Sequence, residues 1–93
     1  SRVTRETMDN RQRMFHNDLD IRGMRGDEAM NAVRYFIDDA ILVGVQQVRI
    51  LHGKGNGILR QLVRQYLSSV PNVIRYHDED IRFGGPGITV AEF

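Results

Sequence analysis

The chain has 93 residues and no cysteine, and its 13 basic and 12 acidic side chains give a formal net charge of +1. A chain of this length builds a single hydrophobic core, and its balanced charge supplies no global attraction to a polyanion or to a membrane surface. The lack of cysteine excludes disulfides and thiolate metal sites and fits a cytoplasmic location, and no apolar run approaches the roughly 20 residues of a membrane span. We therefore expect no membrane partner, and any nucleic-acid site must be a local patch.

The first segment, residues 1–17, is rich in charged side chains and poor in apolar ones, which predicts a linker or N-terminal extension, either without regular structure or as a loose helix. It starts at a serine rather than a methionine, so we expect the chain to be part of a longer protein. The stretch DLDIRG then places Leu19 and Ile21 on one side of a short strand that ends at Gly23. The predicted domain accordingly covers residues 18–93.

Helical periodicity follows the first strand. Apolar residues recur at steps of three and four from about residue 27 to residue 43, and Gly44 is placed as a C-terminal cap. The stretch VQQVRILH, residues 45–52, is the next predicted strand, and its Val48 and Ile50 share a face.

The second half of the chain repeats this order. Apolar residues from Leu59 to Leu67 predict an amphipathic helix. This helix is expected to end in the stretch SSVPN, because Pro71 cannot continue it. VIRYH is a third predicted strand, DEDIRFGGPG is a loop with turn chemistry, and ITVAEF is a last strand.

These elements predict an α/β fold of order βαβαββ, a two-layer sandwich with a four-stranded mixed sheet and two helices on one face. Alternating strands and helices imply right-handed crossovers, so we expect the first three strands to be parallel neighbours. The last strand is expected at an antiparallel edge. Polar residues at alternate strand positions indicate that the second face of the sheet is at least partly open.

The carboxyl ends of parallel strands meet at one edge of a sheet, where open α/β sheets usually bind ligands. Four separated segments with polar or glycine residues reach that edge: Asp20, Arg22 and Arg25; His52 to Gly57; His77 and Asp78; and Gly84 to Gly87.

The loop HGKGNG runs from a strand into a helix N-terminus, where free backbone N–H groups favour an anion. Gly53, Gly55 and Gly57 let the backbone approach a phosphate, and Lys54 adds a charge. The spacing fits neither a P-loop nor a dinucleotide-binding loop. The alternative is a simple glycine turn with Asn56 capping the helix.

His52 and Asp20 each have two interpretations. His52 could exchange protons near neutral pH, or it could be a strand-end histidine bonded to the backbone. Asp20 could bind a metal or polarise His52, or it could form an ion pair with Arg49 or Arg22. Strand alternation directs the side chains of His52 and Asp20 to opposite faces of the sheet.

A basic rim is predicted around this loop, because Arg60 and Arg64 lie four residues apart on the second helix and Arg22 and Arg25 follow the first strand. Such a rim suits a phosphodiester and reads shape rather than base sequence. The three histidines are far apart and there is no H-E-x-x-H motif, so the sequence provides little support for a metal site.

The segments LDIRG, HGKGNG and GGPGITVAEF, in this order and spacing, resemble the Smr (small MutS-related) domain. The resemblance covers residues 18–93 and is closest to the domain that ends the bacterial second MutS paralogue. It implies a βαβαββ sandwich similar to the C-terminal domain of bacterial initiation factor three. It also implies nicking endonuclease activity on DNA, often branched or junction-bearing, and on RNA in some members, in a larger MutS-like protein acting in recombination or repair.

Carried over by motif, the resemblance assigns the catalytic residues Asp20, Arg22, His52 and Lys54. We expect Arg22 and Lys54 to hold the phosphate, His52 to activate water or protonate the leaving oxygen, and Asp20 to orient one of them. The expected nucleic-acid contacts are Arg22, Arg25, Gly53, Lys54, Gly55, Gly57, Arg60, Arg64, Gly85 and Gly87.

Arg22 stands where other subtypes often have histidine, and an arginine cannot exchange the proton, although it can clamp a phosphate. A non-catalytic module that binds nucleic acid or a stalled ribosome is therefore the alternative function. Participation of a divalent cation, Mg²⁺ or Mn²⁺, stays open. No Walker motif is present, so no ATP binding is expected of this chain. The full-length relative is expected to be a homodimer through regions outside it.

Overall fold

The computed structural model describes residues 12–93. Within them, the order of strands and α-helices is the predicted βαβαββ, and the α/β fold class is confirmed. The elements are β1 (Asp18–Asp20), α1 (Gly26–Val43), β2 (Gln47–Leu51), α2 (Ile58–Leu67), β3 (Arg75–Asp78), the 3-10 helices Ile81–Phe83 and Gly85–Gly87, and β4 (Ile88–Glu92).

Helix α1 forms because its apolar residues recur with helical period. Ala29, Val33, Ile37 and Ala40 lie on one face and are fully buried. Gly44 ends the helix in the left-handed conformation (φ 83°), and its N–H donates to the carbonyl of Ala40 at 2.9 Å. The predicted glycine cap is confirmed.

Helix α2 buries Val63 and Leu67 through the same pattern. The N-cap of this helix lies one residue later than the sequence predicted. Gly57, in the left-handed region at φ 81°, is the N-cap, and the side chain of Asn56 accepts from the Ile58 N–H at 3.1 Å.

The strand order corrects the predicted sheet. The order is β1-β2-β4-β3, with β1 and β2 parallel and β4 antiparallel to both β2 and β3. The expectation of three parallel neighbours was wrong for β3, and the expectation that the last strand lies at an edge was wrong for β4.

The physical reason lies in the composition of these two strands. Ile88, Thr89, Val90 and Ala91 are all buried, which suits a central strand that is covered on both faces. Strand β3 reads RYHD and is largely exposed, which suits an edge. Because β3 still runs in the same direction as β1 and β2, its carboxyl end reaches the predicted edge of the sheet.

The helix-covered face contains the core. Val48 and Ile50 lie opposite Ala91 and Thr89 in the β2–β4 register, and all four are fully buried. Buried residues of both helices belong to the same hydrophobic cluster as Val48 and Ile50. Two helices on one face of the sheet is therefore the observed arrangement.

The second face of the sheet is more covered than we expected. Arg49 lies on it and donates to Asp18, to Glu79 at 2.7 Å and to the carbonyl of Phe83 at 3.0 Å. These bonds hold the segment after β3 over the face, where Val90 is only 3% exposed.

The end of the predicted lead-in contacts the domain. The rings of Phe15 and Phe36 stack with centroids 5.6 Å apart, and the side chain of Gln12 donates to the carbonyls of Val43 and Gly44. The rest of the lead-in, residues 1–11, lies outside the described residues. Between residues 12 and 93, no helix is long and apolar enough to cross a membrane.

Candidate functional site

The first two strands end side by side, as the sequence predicted. Asp20 pairs with Leu51 in the parallel register, and Leu51 pairs with Ile88 of β4. This row lies on the face opposite the helices. The N–H of buried Ile21 continues the ladder by donating to the carbonyl of Leu51 at 2.9 Å, and the chain then turns away towards α1.

Asp20 and Arg22 form a close ion pair at this edge. The guanidinium of Arg22 donates to both carboxylate oxygens of Asp20 at 2.9 and 2.7 Å, and the Arg22 N–H adds a third bond at 3.0 Å. These hydrogen bonds lower the pKa of Asp20 to about 2. Both side chains stay at least half exposed, so the pair is open to a ligand. Of the two interpretations of Asp20, the ion pair with Arg22 is observed.

The glycine loop packs against Arg22 on one side and against the last glycine segment on the other. Gly53 has φ 82°, and a Cβ there would lie 3.6 Å from Cγ of Arg22. The N–H groups of His52 and Gly53 both donate to the carbonyl of Gly87, at 3.1 and 3.0 Å. The predicted convergence of the LDIRG, HGKGNG and GGPG segments is therefore observed.

An open cleft of about 380 Å³ lies where these segments meet. Leu51 and Ile88, neighbours in the sheet, give it an apolar floor, and Arg22 and Lys54 are the basic residues of its lining. We call it the Arg22–Lys54 cleft, and its lining residues are Arg22, Leu51, Gly53, Lys54, Gly84, Gly87 and Ile88.

His52 lies behind the cleft rather than in it. Its side chain is buried on the helix-covered face of the sheet, with Nε2 2.8 Å from the hydroxyl of Thr89 and Nδ1 2.9 Å from the carbonyl of Gly53. A carbonyl only accepts, so Nδ1 carries the proton and the Thr89 hydroxyl donates to Nε2. Burial lowers the pKa of His52, which keeps the ring neutral near pH 7.

This geometry favours the second interpretation of His52. Both ring nitrogens are bonded within the domain, and the ring does not line the cleft. His52 therefore positions the glycine loop by joining it to β4, and the predicted proton transfer by its ring has no geometric support.

Arg60 and Arg64 also lie on the helix-covered side. Both guanidinium groups donate to the same oxygen of Asp78, and Arg64 also lies 5.5 Å from the ring centre of Tyr76. The hydrogen bond from Arg60 is the main cause that lowers the pKa of Asp78. The predicted basic rim is thus partly neutralised, because a phosphate would have to displace this carboxylate.

The remaining predicted residues are not among those that line the cleft. Arg25 is exposed at the start of α1 and lies 3.3 Å from Asp27. A Cβ at Gly55 or at Gly57 would meet no atom within 4 Å. Gly85, at φ 53°, forms a turn beneath Ile81. His77 lies apart from the cleft and binds Glu92.

Three residues that hold or line the cleft region are absent from the predicted catalytic residues and nucleic-acid contacts, although the sequence placed Gly84 at this edge. Arg49 binds the segment after β3 to the second face of the sheet, Thr89 forms a hydrogen bond with His52, and Gly84 lines the cleft. Only Gly84 had a signal, its place in a glycine run. Residues 12–93 contain no group of three or more histidine, cysteine or acidic side chains that could hold a metal ion.

Comparison with known proteins decides the family. The model of the Smr domain family matches residues 19–93, which include the three motifs and every residue that lines the cleft. The chain belongs to the Smr domain family.

The relatives of this Smr domain agree with the predicted subtype. It is 40% identical over 74 residues to "Endonuclease MutS2" of Helicobacter pylori and 47% identical over 75 residues to that of Shouchella clausii. These matches cover 80% and 81% of the chain but only 10% of each relative, so the chain spans about a tenth of their length.

A solved structure supports the same assignment. The crystal structure of the Smr domain of Thermus thermophilus MutS2 is similar with a TM-score of 0.79 and 36% identity, covering 82% of this chain and 95% of that one. The predicted resemblance to the Smr domain of a second MutS paralogue is confirmed.

Proposed function

We propose that this Smr domain binds the sugar–phosphate backbone of nucleic acid in the Arg22–Lys54 cleft and nicks DNA there, as part of a larger MutS-like protein acting in recombination or repair. One observation carries the proposal: an arginine, a lysine and three glycines from two separate glycine segments line a single open cleft. Arginine clamps a phosphate with paired N–H groups, and glycine backbone permits its close approach. The name of the similar relatives, Endonuclease MutS2, supports the reaction.

The ion pair couples phosphate binding to the state of Asp20. A phosphate in the cleft competes with Asp20 for the guanidinium of Arg22. Since Arg22 is the main cause of the low pKa of Asp20, its withdrawal raises that pKa towards the ordinary value and frees the carboxylate oxygens. Asp20 then orients a water molecule beside the bound phosphate.

The proposed reaction is hydrolysis of one phosphodiester bond. The water oxygen bonds to phosphorus while one phosphorus–oxygen bond to a sugar breaks. Asp20 accepts the proton of the attacking water, and the leaving sugar oxygen takes a proton from solvent. Arg22 and Lys54 stabilise the negative charge that develops on the phosphate oxygens. His52 and Thr89 hold the loop that carries Lys54.

Nicking of a supercoiled plasmid tests this reaction. In Asp20→Asn the water loses its proton acceptor, so we expect nicking to fall by about 100-fold or more, the usual range for removal of an acid–base group. Binding should stay equal or become tighter, because asparagine competes less for Arg22. Arg22→Ala should also reduce nicking, because it removes a group that stabilises charge on the phosphate, and Arg75→Ala, at the opposite edge of the sheet, is its charge-matched control. A folded Asp20→Asn protein that nicks like the parent would contradict the mechanism.

A second candidate function is a non-catalytic module that binds RNA, a ribosome or DNA. It is favoured by the inward-facing ring of His52, which leaves the cleft without a histidine. This function predicts the same cleft and the same phosphate contacts. Salt-dependent binding with no strand cleavage in Mg²⁺ or Mn²⁺ would favour it over the nuclease.

A further inference from the structure

Two large apolar side chains point into solvent beside the cleft. Ile81 is 84% exposed and Phe83 is 62% exposed, and both belong to the 3-10 helix Ile81–Phe83. Phe83 directly precedes Gly84, which lines the Arg22–Lys54 cleft. Exposed apolar groups next to a binding site mark contact with a partner more often than isolated ones do.

Four hydrogen bonds hold this turn in place. Asp80 caps it by accepting from the Arg82 N–H at 2.9 Å, and its carbonyl accepts from the N–H groups of Phe83 and Gly85. Arg49 reaches up from the sheet to the carbonyl of Phe83. The apolar pair is thus presented at a fixed place rather than carried on a loose loop.

Close packing fixes the turn above the cleft as well. A Cβ at Gly84 would lie 2.3 Å from Cδ1 of Ile88, and one at Gly85 would lie 3.5 Å from Cγ1 of Ile81. These glycines let the turn lie directly on the floor of the cleft. The same rigid segment therefore lines the cleft with Gly84 and displays the apolar pair outside it.

Arginine and lysine side chains lie on both sides of the pair, and the two arginines are paired with Asp80 and Asp20. The guanidinium of Arg82 lies 5.3 Å from the centre of the Phe83 ring, and Arg82 is bound to Asp80 through two hydrogen bonds. Arg22 and Lys54 line the same cleft as Gly84. An aromatic ring bordered by cations is the arrangement that holds a nucleobase by stacking while the backbone is held by charge.

We propose that Ile81 and Phe83 form a stacking platform for an unpaired nucleobase of the nucleotide whose phosphate occupies the Arg22–Lys54 cleft. This inference rests on the proposed backbone binding. A paired base is already stacked within its duplex, so the platform strengthens binding only of an unpaired base at a branch or bulge. It selects for disrupted structure, independently of base identity.

Fluorescence anisotropy on two DNA ligands tests the platform: a paired duplex, and the same duplex with one unpaired nucleotide. Phe83→Ala should weaken binding of the second ligand by roughly ten-fold, from the usual strength of aromatic–base stacking, and leave the first within about two-fold. Phe83→Tyr should retain the preference. Tyr35→Ala and Ile74→Ala are matched controls, because both side chains are strongly exposed elsewhere, on α1 and before β3.

Two further measurements separate the possible failures. A 2-aminopurine at the unpaired position should be quenched by the parent protein and not by Phe83→Ala, and an abasic unpaired nucleotide should remove the effect of Phe83→Ala. If Phe83→Ala binds both ligands like the parent while Arg22→Ala weakens both, the platform is refuted and the proposed function stands. If Arg22→Ala and Lys54→Ala weaken neither ligand, the proposed function itself is refuted.

Discussion

His52 illustrates at the residue scale what a sequence can and cannot specify. Its place at a strand end before a glycine, and its opposite phase to Asp20, followed from alternation and are observed. Its partner Thr89 lies 37 residues away in a strand whose position in the sheet was not predicted. The role of the ring could not be predicted for that reason. The Asp20–Arg22 pair is local, and the sequence named it as an alternative.

The two histidines with shifted pKa values give opposite pH dependence of stability. Burial lowers the pKa of His52, so between its folded value and the unfolded value of about 6.5 the unfolded chain binds more protons. The contribution of His52 to the free energy of unfolding is present above about pH 6.5 and is lost as the pH falls. Bonds to Asp78 and Glu92 raise the pKa of His77, which stabilises the fold at low pH and loses that effect as the pH rises through its folded value.

The variant His77→Gln isolates the effect of His52. Its free energy of unfolding, from urea titrations, should fall as the pH is lowered from about 7.5 to about 5. This range lies above the one in which the carboxyl groups with lowered pKa values titrate. In a folded double variant with His52→Asn the fall should largely disappear. Equal stability of His77→Gln at both pH values would show that His52 is not buried as described.

At the scale of elements, the helices and the two central strands differ in how well they were predicted. Helix α1 was predicted to within about one residue of its observed bounds, because its period and its Gly44 cap are local signals. The place of β4 depends on which strands it pairs with, which is a non-local property. The run of four uncharged residues from Ile88 to Ala91 was the clue available in the sequence to a central position, and the structure buries all four.

The glycine segment before β4 provides a test of the packing at the cleft. Gly84 has φ 132°, and a Cβ there would overlap Ile88, so Gly84→Ala should destabilise the fold by about 2 kcal/mol or more. Gly55→Ala is the matched control, because a Cβ there meets nothing within 4 Å and should change stability by less than about 0.5 kcal/mol. Thermal unfolding of both variants measures the difference. Equal loss in the two would argue against the close packing of Gly84 on Ile88.

At the scale of the whole molecule, the fold class and the edge that carries the cleft were predicted, and so were some of the residues that line the cleft. The βαβαββ order follows from local periodicity, and parallel strand direction then brings LDIRG and HGKGNG together. The exact neighbours of each cation could not be predicted. Arg60 and Arg64 have the right spacing for a basic rim, but Asp78 reaches them only because β3 lies beside β4.

The net charge of +1 gives the chain no general attraction for a polyanion, so we expect affinity for nucleic acid to come from the few cations at the cleft. The most direct test is the salt dependence of binding to a short branched DNA. The slope of log affinity against log salt should lose about one unit in Arg22→Ala and again in Lys54→Ala, and it should be unchanged in Arg75→Ala. Slopes equal to that of the parent protein in both cleft variants would contradict backbone binding at the Arg22–Lys54 cleft.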